Sequence, residues 1–382
     1  MRKAKNLEIE FLRFVFCIMV ILQHSQYVTN KFPSYLNFTT SGHKAIYFFF
    51  AVSGFLMVKG YFKNKDFGLT AEKAAWKFNI NKMKPIYPDY LFALFIKFTI
   101  VLGGAALLGH LTFGTVATKI SEIIPDLIGI SGGGLKDFFL GVAWYLGAMF
   151  VVIPIFYYML CKNSRFFLYF FAPTIYPFLL ALRYNLAASS DSTIKVLNKL
   201  IEFPLKAAIG LLTGVLAYLV YKKITEHDYT KFGKFVLTVI ELFGYLFILI
   251  VSIFTRKISD TFIIPLFIAT TAITFSEKSA LHGLFKWRIF SFLGKASLPL
   301  YFNHGTVFYA IIRLYPDGSY QHNMAIAIPL IILLSAFEYF GVRAIMLMWK
   351  KSGINVGKCG QRVCMTGCRK DRNMIRYQGQ KV

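Results

Sequence analysis

The chain has 382 residues, of which 56% are hydrophobic and only 16% charged. A soluble domain carries about 25% charged residues, so this composition excludes an ordinary soluble enzyme and points to a polytopic membrane protein. The net charge of +25 would suit nucleic acid, but the placement of the basic residues argues for another origin.

Ten apolar runs are predicted to span, in the order Leu7–Val28, Lys44–Phe62, Pro85–Leu108, Phe138–Leu160, Phe166–Leu182, Leu200–Tyr221, Phe232–Phe254, Thr261–Phe275, Ser291–Leu314 and Met324–Trp349. A hydrocarbon core of ~30 Å needs about 20 helical residues, which makes the eighth run short. The expected fold is an all-α polytopic membrane protein, one bundle of about ten transmembrane helices over residues 1–351, followed by a basic tail over 352–382. With the N-terminus in the cytoplasm, loops on that side hold 27 of the 43 Lys and Arg residues, edge residues included. The opposite loops hold 9 and the spans 7. The positive-inside rule then places both termini in the cytoplasm, and the basicity is topological rather than a nucleic-acid footprint.

The first run carries Arg13 and His24, and no cleavage pattern precedes it, which argues against a removable signal. Ionisable side chains are costly in hydrocarbon and mark functional sites there. Eleven steps of roughly 100° return to about 20° from the start, so both residues project from one stripe, ~16 Å apart along the axis. Arg13 has a local alternative partner in Glu10, three residues earlier. Its planar fork also suits phosphate or carboxylate. Histidine has an ordinary pKa close to neutrality, as a general base requires. Of the seven histidines, His24 and His304 lie well inside spans, both in the outer half. The alternative for either one is a hydrogen-bonded packing role.

Ser53-Gly54-Phe55 interrupts the second run. Small residues there serve close helix packing, or the hydroxyl binds substrate. The loop Lys63–Lys84, with six lysines and Trp76 among its apolar residues, is predicted to form a short amphipathic helix lying on the membrane. Lys97 is expected to pair with a carboxylate across the bundle and Lys206 to snorkel. Gly109–Asp137 reads as an outer loop, helical to near Ile130, with a flexible turn at Ser131–Gly134 that lacks the Gly-Lys-Ser/Thr of a phosphate loop. Glu338 and Arg343 form an interior polar network. Cys359, Cys364 and Cys368 lack a nearby fourth ligand, so no metal is expected.

A set of motifs recurs along the chain in a fixed order. It runs from Arg13-x10-His24 through Phe48-Phe-Phe-Ala-Val-Ser-Gly-Phe-Leu56, Ile86-Tyr-Pro88 and Trp144-Tyr-Leu146 to Phe292-Leu-Gly-Lys-Ala-Ser-Leu-Pro-Leu-Tyr-Phe-Asn-His304 and Glu338. This ordered set, covering the chain to about Lys351, resembles the acyltransferase family 3 membrane proteins. The resemblance implies a multi-pass O-acyltransferase, commonly an O-acetyltransferase, of the bacterial cytoplasmic membrane. It implies a cytoplasmic acyl-CoA donor, commonly acetyl-CoA, and a sugar, surface polysaccharide or lipid-linked glycan as acceptor. It also implies His24 as catalytic base and Arg13 as essential.

One element departs from the family. Members usually carry Arg-x-x-Arg before Ile-Tyr-Pro, where this chain has Asn81-Lys82-Met83-Lys84-Pro85. Lys82, Lys84 and Tyr87 are then expected on the CoA side. Ser53, Trp144, Tyr145, Tyr301, His304 and Glu338 are expected on the acceptor side. The rival readings are a transporter or flippase for a glycan or its lipid-linked precursor, and a family member of impaired activity.

Overall fold

The computed structural model describes residues 6–33, 42–63, 68–127, 139–189, 191–254 and 260–351. Predictions for Ser131–Gly134 and for Cys359, Cys364 and Cys368 lie outside them. Among the described residues there is helix and no strand. The helices are α1 Leu7–His24, α2 Ala45–Lys63, α3 Ala71–Met83, α4 Tyr87–Leu107, α5 Phe113–Leu127 and α6 Trp144–Lys162. They continue as α7 Ser164–Ala188, α8 Ser192–Glu226, α9 Lys231–Phe254, α10 Asp260–Ser276, α11 Arg288–Leu314 and α12 Tyr320–Lys351.

Seven helices are long and apolar enough to cross a membrane: α2, α4, α6, α7, α8, α9 and α12. The other three predicted spans are helical too. Of these, α1 carries Glu8, Glu10 and Arg13 in its first two turns, α10 is short, and α11 bears Lys295, Asn303 and His304. The chain is a multi-pass helical membrane protein.

Local chemistry sets several boundaries. Asn6 caps α1, its Oδ1 accepting from the Ile9 N–H at 3.1 Å while its Nδ2 donates to the Thr274 carbonyl at 3.0 Å. Asp191 caps α8 by accepting from the amides of Thr193 and Ile194. In α7, residues Phe167–Phe171 widen into a π-helical turn, with the Ala172 N–H reaching the Phe167 carbonyl. Pro173 follows, and its missing N–H already breaks the regular ladder there.

The centre of the bundle is built where α2 crosses α8. A Cβ on Gly54 would run into the Leu211 backbone, and one on Gly214 into the backbone of Ala51 and Phe55. These glycines let two helix backbones touch, so Gly54 serves the packing alternative. Around the crossing, Phe16 stacks on Phe48 with ring centroids 4.4 Å apart, and Phe55 stacks on Phe275 at 3.9 Å.

Two sequence expectations are corrected. The helix α3 does not lie apart on a membrane surface but stands along α6. Asn79 donates to the Phe150 carbonyl at 3.0 Å, Phe78 stacks on Tyr157 at 4.2 Å, and Glu72 meets Lys162 at 3.4 Å. Its packed face combines the buried Ala74 and Ala75 with Phe78 and Asn79, while Trp76 is exposed. The segment after α4 does not stay at the far end either. Helix α5 runs back along α4, and the hydroxyls of Tyr90 and Tyr87 donate to the carbonyls of Asp126 and Leu127. Carbonyls in the last turn of a helix lack intrahelical donors, and the two tyrosines satisfy them.

The chain divides into two compact units, residues 1–338 and 339–382. In the second, Arg343 donates to the Tyr339 carbonyl at 2.6 Å and lies over the Tyr339 ring. Arg343 is thus engaged within its own helical turn.

Candidate active site

Helices α1 and α11 pack side by side and run in the same direction. Gly294 abuts Glu10, the Cys17 thiol lies 3.1 Å from the Ser297 carbonyl, and His24 meets His304. The stripe Arg13, Cys17, Val20 and His24 recurs at helical spacing, as does Gly294, Ser297, Tyr301 and His304 on α11. Gly294 admits the pairing at its lower end, since a Cβ there would overlap the Glu10 side chain and backbone.

At the upper end, His304 Nε2 lies 3.1 Å from His24 Nδ1 and His304 Nδ1 lies 3.3 Å from the Leu300 carbonyl. A carbonyl only accepts, so His304 carries its proton on Nδ1 and presents a lone pair at Nε2. His24 then donates from Nδ1 to His304 Nε2. The tautomer follows from these partners: His24 keeps an unprotonated Nε2. His24 lines a cavity of about 590 Å³ with Gln26, Tyr27, Thr29, Asn30, Lys97, Gly141, Thr306 and Tyr309. The Tyr27 ring lies nearly parallel to that of His24, 6.0 Å away, and Tyr27 is exposed.

The cavity mouth is tied down. Thr29 donates to the Gly318 carbonyl at 2.8 Å, and Asn323 donates to the Val28 carbonyl at 2.8 Å. Ser25 and Tyr320 share a hydroxyl hydrogen bond of 3.0 Å. The segment following His24 is therefore fixed to the α11–α12 turn by side-chain bonds.

At the lower end, Arg13 Nη1 lies 3.4 Å from Glu10 Oε2, which realises the local ion pair expected from the sequence. The Arg13 charge also acts on Lys82, Tyr145 and Cys17. Lys82 comes from the last turn of α3, which is not one of the seven helices long and apolar enough to span. Burial first, and the Arg13 charge second, lower its pKa to about 8. Two cations brought together beside one carboxylate leave a net positive site suited to an anion.

Between the two ends stand Tyr145 and Tyr301, ring centroids 5.8 Å apart, with Phe49 against both. Ser53 lies one turn from Phe49 on the same face of α2, and it is buried. The Tyr301 hydroxyl donates to the Val142 carbonyl at 2.7 Å.

Other predicted site residues lie elsewhere. Trp144 stacks on Phe203 at 4.7 Å and carries Lys206 over its ring at 5.4 Å. Lys206 does not snorkel, because Glu202 holds its ammonium at 2.5 Å. Glu338 is fully buried and accepts from Asn303 Nδ2 at 2.6 Å, outside the His24 cavity wall. Lys84 is exposed. The Tyr87 ring borders a small cavity of about 20 Å³ with Met83, Tyr90 and Gly147.

Sequence reasoning missed Tyr27 and assigned no site role to Lys97, although both line the cavity. Tyr27 lies beyond the last turn of α1, where no helical stripe applies, and only its spacing of three from His24 hinted at contact. A further charged cluster, with His43 3.1 Å from Asp260 and Arg183 3.8 Å from both Asp260 and Glu202, joins residues far apart in the chain.

A family model for acyltransferase family 3, described as an acyltransferase domain, matches residues 6–337. No curated protein and no solved structure matches the chain. The match takes in α1 with Arg13 and His24, the basic α3 and α11 with His304. The chain belongs to acyltransferase family 3, a family of membrane acyltransferases.

Proposed function

We propose that the protein transfers an acyl group, commonly acetyl, from acyl-CoA to a hydroxyl of a sugar, surface polysaccharide or lipid-linked glycan, with His24 as general base. The observation that carries this reading is the hydrogen-bond chain from the Leu300 carbonyl through His304 to His24, which leaves His24, a residue of the cavity wall, with an unprotonated Nε2. In the reaction, Nε2 takes the proton of the acceptor hydroxyl and the oxygen attacks the thioester carbonyl. The carbon–sulfur bond then breaks, and the CoA thiolate leaves with the proton from His24.

His304 is a positioning residue, because it acts through His24. Arg13 and Lys82 take the phosphates of the donor at the lower end of the α1–α11 pair, and Tyr145, Tyr301 and Ser53 line the way toward His24. The separation of ~16 Å along α1 between Arg13 and His24 suits a donor arriving from one side and an acceptor held at the other. We place the enzyme in a bacterial cytoplasmic membrane with both termini inside, an orientation that the bias of Lys and Arg among the loops supports.

Membranes containing the full chain, supplied with acetyl-CoA labelled in the acetyl group and with a glycan fraction, test this. Label in the glycan with release of free CoA is the expected result. A transporter or flippase would move glycan without consuming donor, and that outcome would overturn the proposal.

A further inference from the structure

Among the described residues, the wall of the His24 cavity includes no Asp or Glu and one Lys or Arg, Lys97 of α4. Lys97 was expected to pair with a carboxylate across the bundle. Its ammonium instead sits 5.5 Å from the ring centroids of both Phe139 and Tyr309. Among the described residues, no carboxylate reaches it within ion-pairing distance. Asp126 attracts it from farther away and Lys119 repels it. The Asp126 carboxylate accepts the Leu140 N–H at 2.9 Å, while Lys119 pairs with Glu122 at 2.8 Å.

The surroundings add to the positive field. Arg313 lies over the Tyr309 ring at 4.6 Å, so the ring has a cation near it from α4 and from its own helix. The acid at the mouth, Asp317, is matched by Lys31 at 3.4 Å. A half-buried ammonium that meets only aromatic faces keeps hydrogen-bonding capacity for a ligand. A low-dielectric wall strengthens its pull on an anion.

We propose that the acceptor bears an anionic group, carboxylate or phosphate, which Lys97 receives inside the cavity, making Lys97 the residue that selects acidic over neutral glycans. This rests on reading the His24 cavity as the acceptor site. An acid group held by Lys97 anchors one part of a sugar unit while a free hydroxyl of that unit turns toward His24 Nε2.

The test uses full-length protein in nanodiscs and needs no donor. Diethyl pyrocarbonate labels His24, read by mass spectrometry of its peptide, while glucuronate, glucose 1-phosphate or glucose is titrated in. At least one of the two anions is expected to protect His24 at a concentration about tenfold lower than glucose, the scale of one charge-assisted hydrogen bond. Glucuronate against glucose 1-phosphate tells carboxylate from phosphate. Lys97→Met should erase the advantage and Lys97→Arg keep it, with His24 labelling at the wild-type rate in sugar-free samples showing an intact cavity. Equal protection by all three sugars, protection by none, or an advantage surviving in Lys97→Met would overturn the proposal. Because labelling involves no turnover, its failure is distinct from loss of the acyltransferase reading, which the transfer assay reports separately.

Discussion

His304 Nε2 lies 3.1 Å from His24 Nδ1, although the two residues are 280 positions apart in the chain. The contact closes the upper end of the α1–α11 pair and fixes which nitrogen of His24 carries the proton. His304→Leu removes the acceptor for the His24 Nδ1–H and frees the ring to turn. We expect kcat to fall by about one to two orders of magnitude, within the range for a misplaced general base, with KM for acyl-CoA unchanged. His304→Gln retains a side-chain acceptor and should recover part of the rate. Steady-state kinetics of the two variants check this, and a change confined to KM would speak against a positioning role.

Lys82 gives the donor side a pH dependence. Burial and the Arg13 charge lower its pKa to about 8, so the ammonium is present below that pH and is lost as pH rises through it. A bound phosphate favours the charged form. KM for acyl-CoA should therefore rise by about tenfold between pH 7 and pH 9, the worth of one charge-assisted contact. Lys82→Arg, charged throughout, should flatten the profile. A wild-type KM independent of pH over this range would remove Lys82 from the donor site.

Gly54 tests the packing at the centre of the bundle. Alanine there would press into the Leu211 backbone, which cannot yield as a side chain can. Gly54→Ala should cost about 1–3 kcal/mol, the usual scale of overpacking, seen as a lower unfolding temperature in detergent. Gly60→Ala is the comparison, because its Cβ would stand 3.6 Å from the Phe78 ring. It should lie within ~0.5 kcal/mol of wild type. Equal losses at the two positions would contradict the packing described for α2 and α8.

Much of the frame could be read from apolar run length, because a hydrocarbon core demands about 20 residues per helix. That constraint finds α4, α6 and α9 directly. It does not say which way a shorter helical segment turns, so α3 was expected on the membrane surface and α5 in an outer loop. Their positions depend on partners no local pattern reveals: the Phe150 carbonyl for Asn79, and the Tyr87 and Tyr90 hydroxyls for the end of α5. In the site, helical spacing put Arg13 and His24 on one stripe and equal depth pointed to His304. The register of α1 against α11 gave their contact, and no periodicity holds that register. Trp144 and Glu338 were placed by motif and chemical type, and their actual neighbours, Lys206 and Asn303, belong to other helices.

The most direct measurement is acetyl transfer by a His24→Ala variant shown by protease mapping to be inserted as the wild type is. General-base catalysis contributes about 10²–10⁴-fold, so transfer of labelled acetyl to the glycan should fall by at least about two orders of magnitude while acyl-CoA binding persists. Transfer at the wild-type rate would contradict the assignment of His24 as the base.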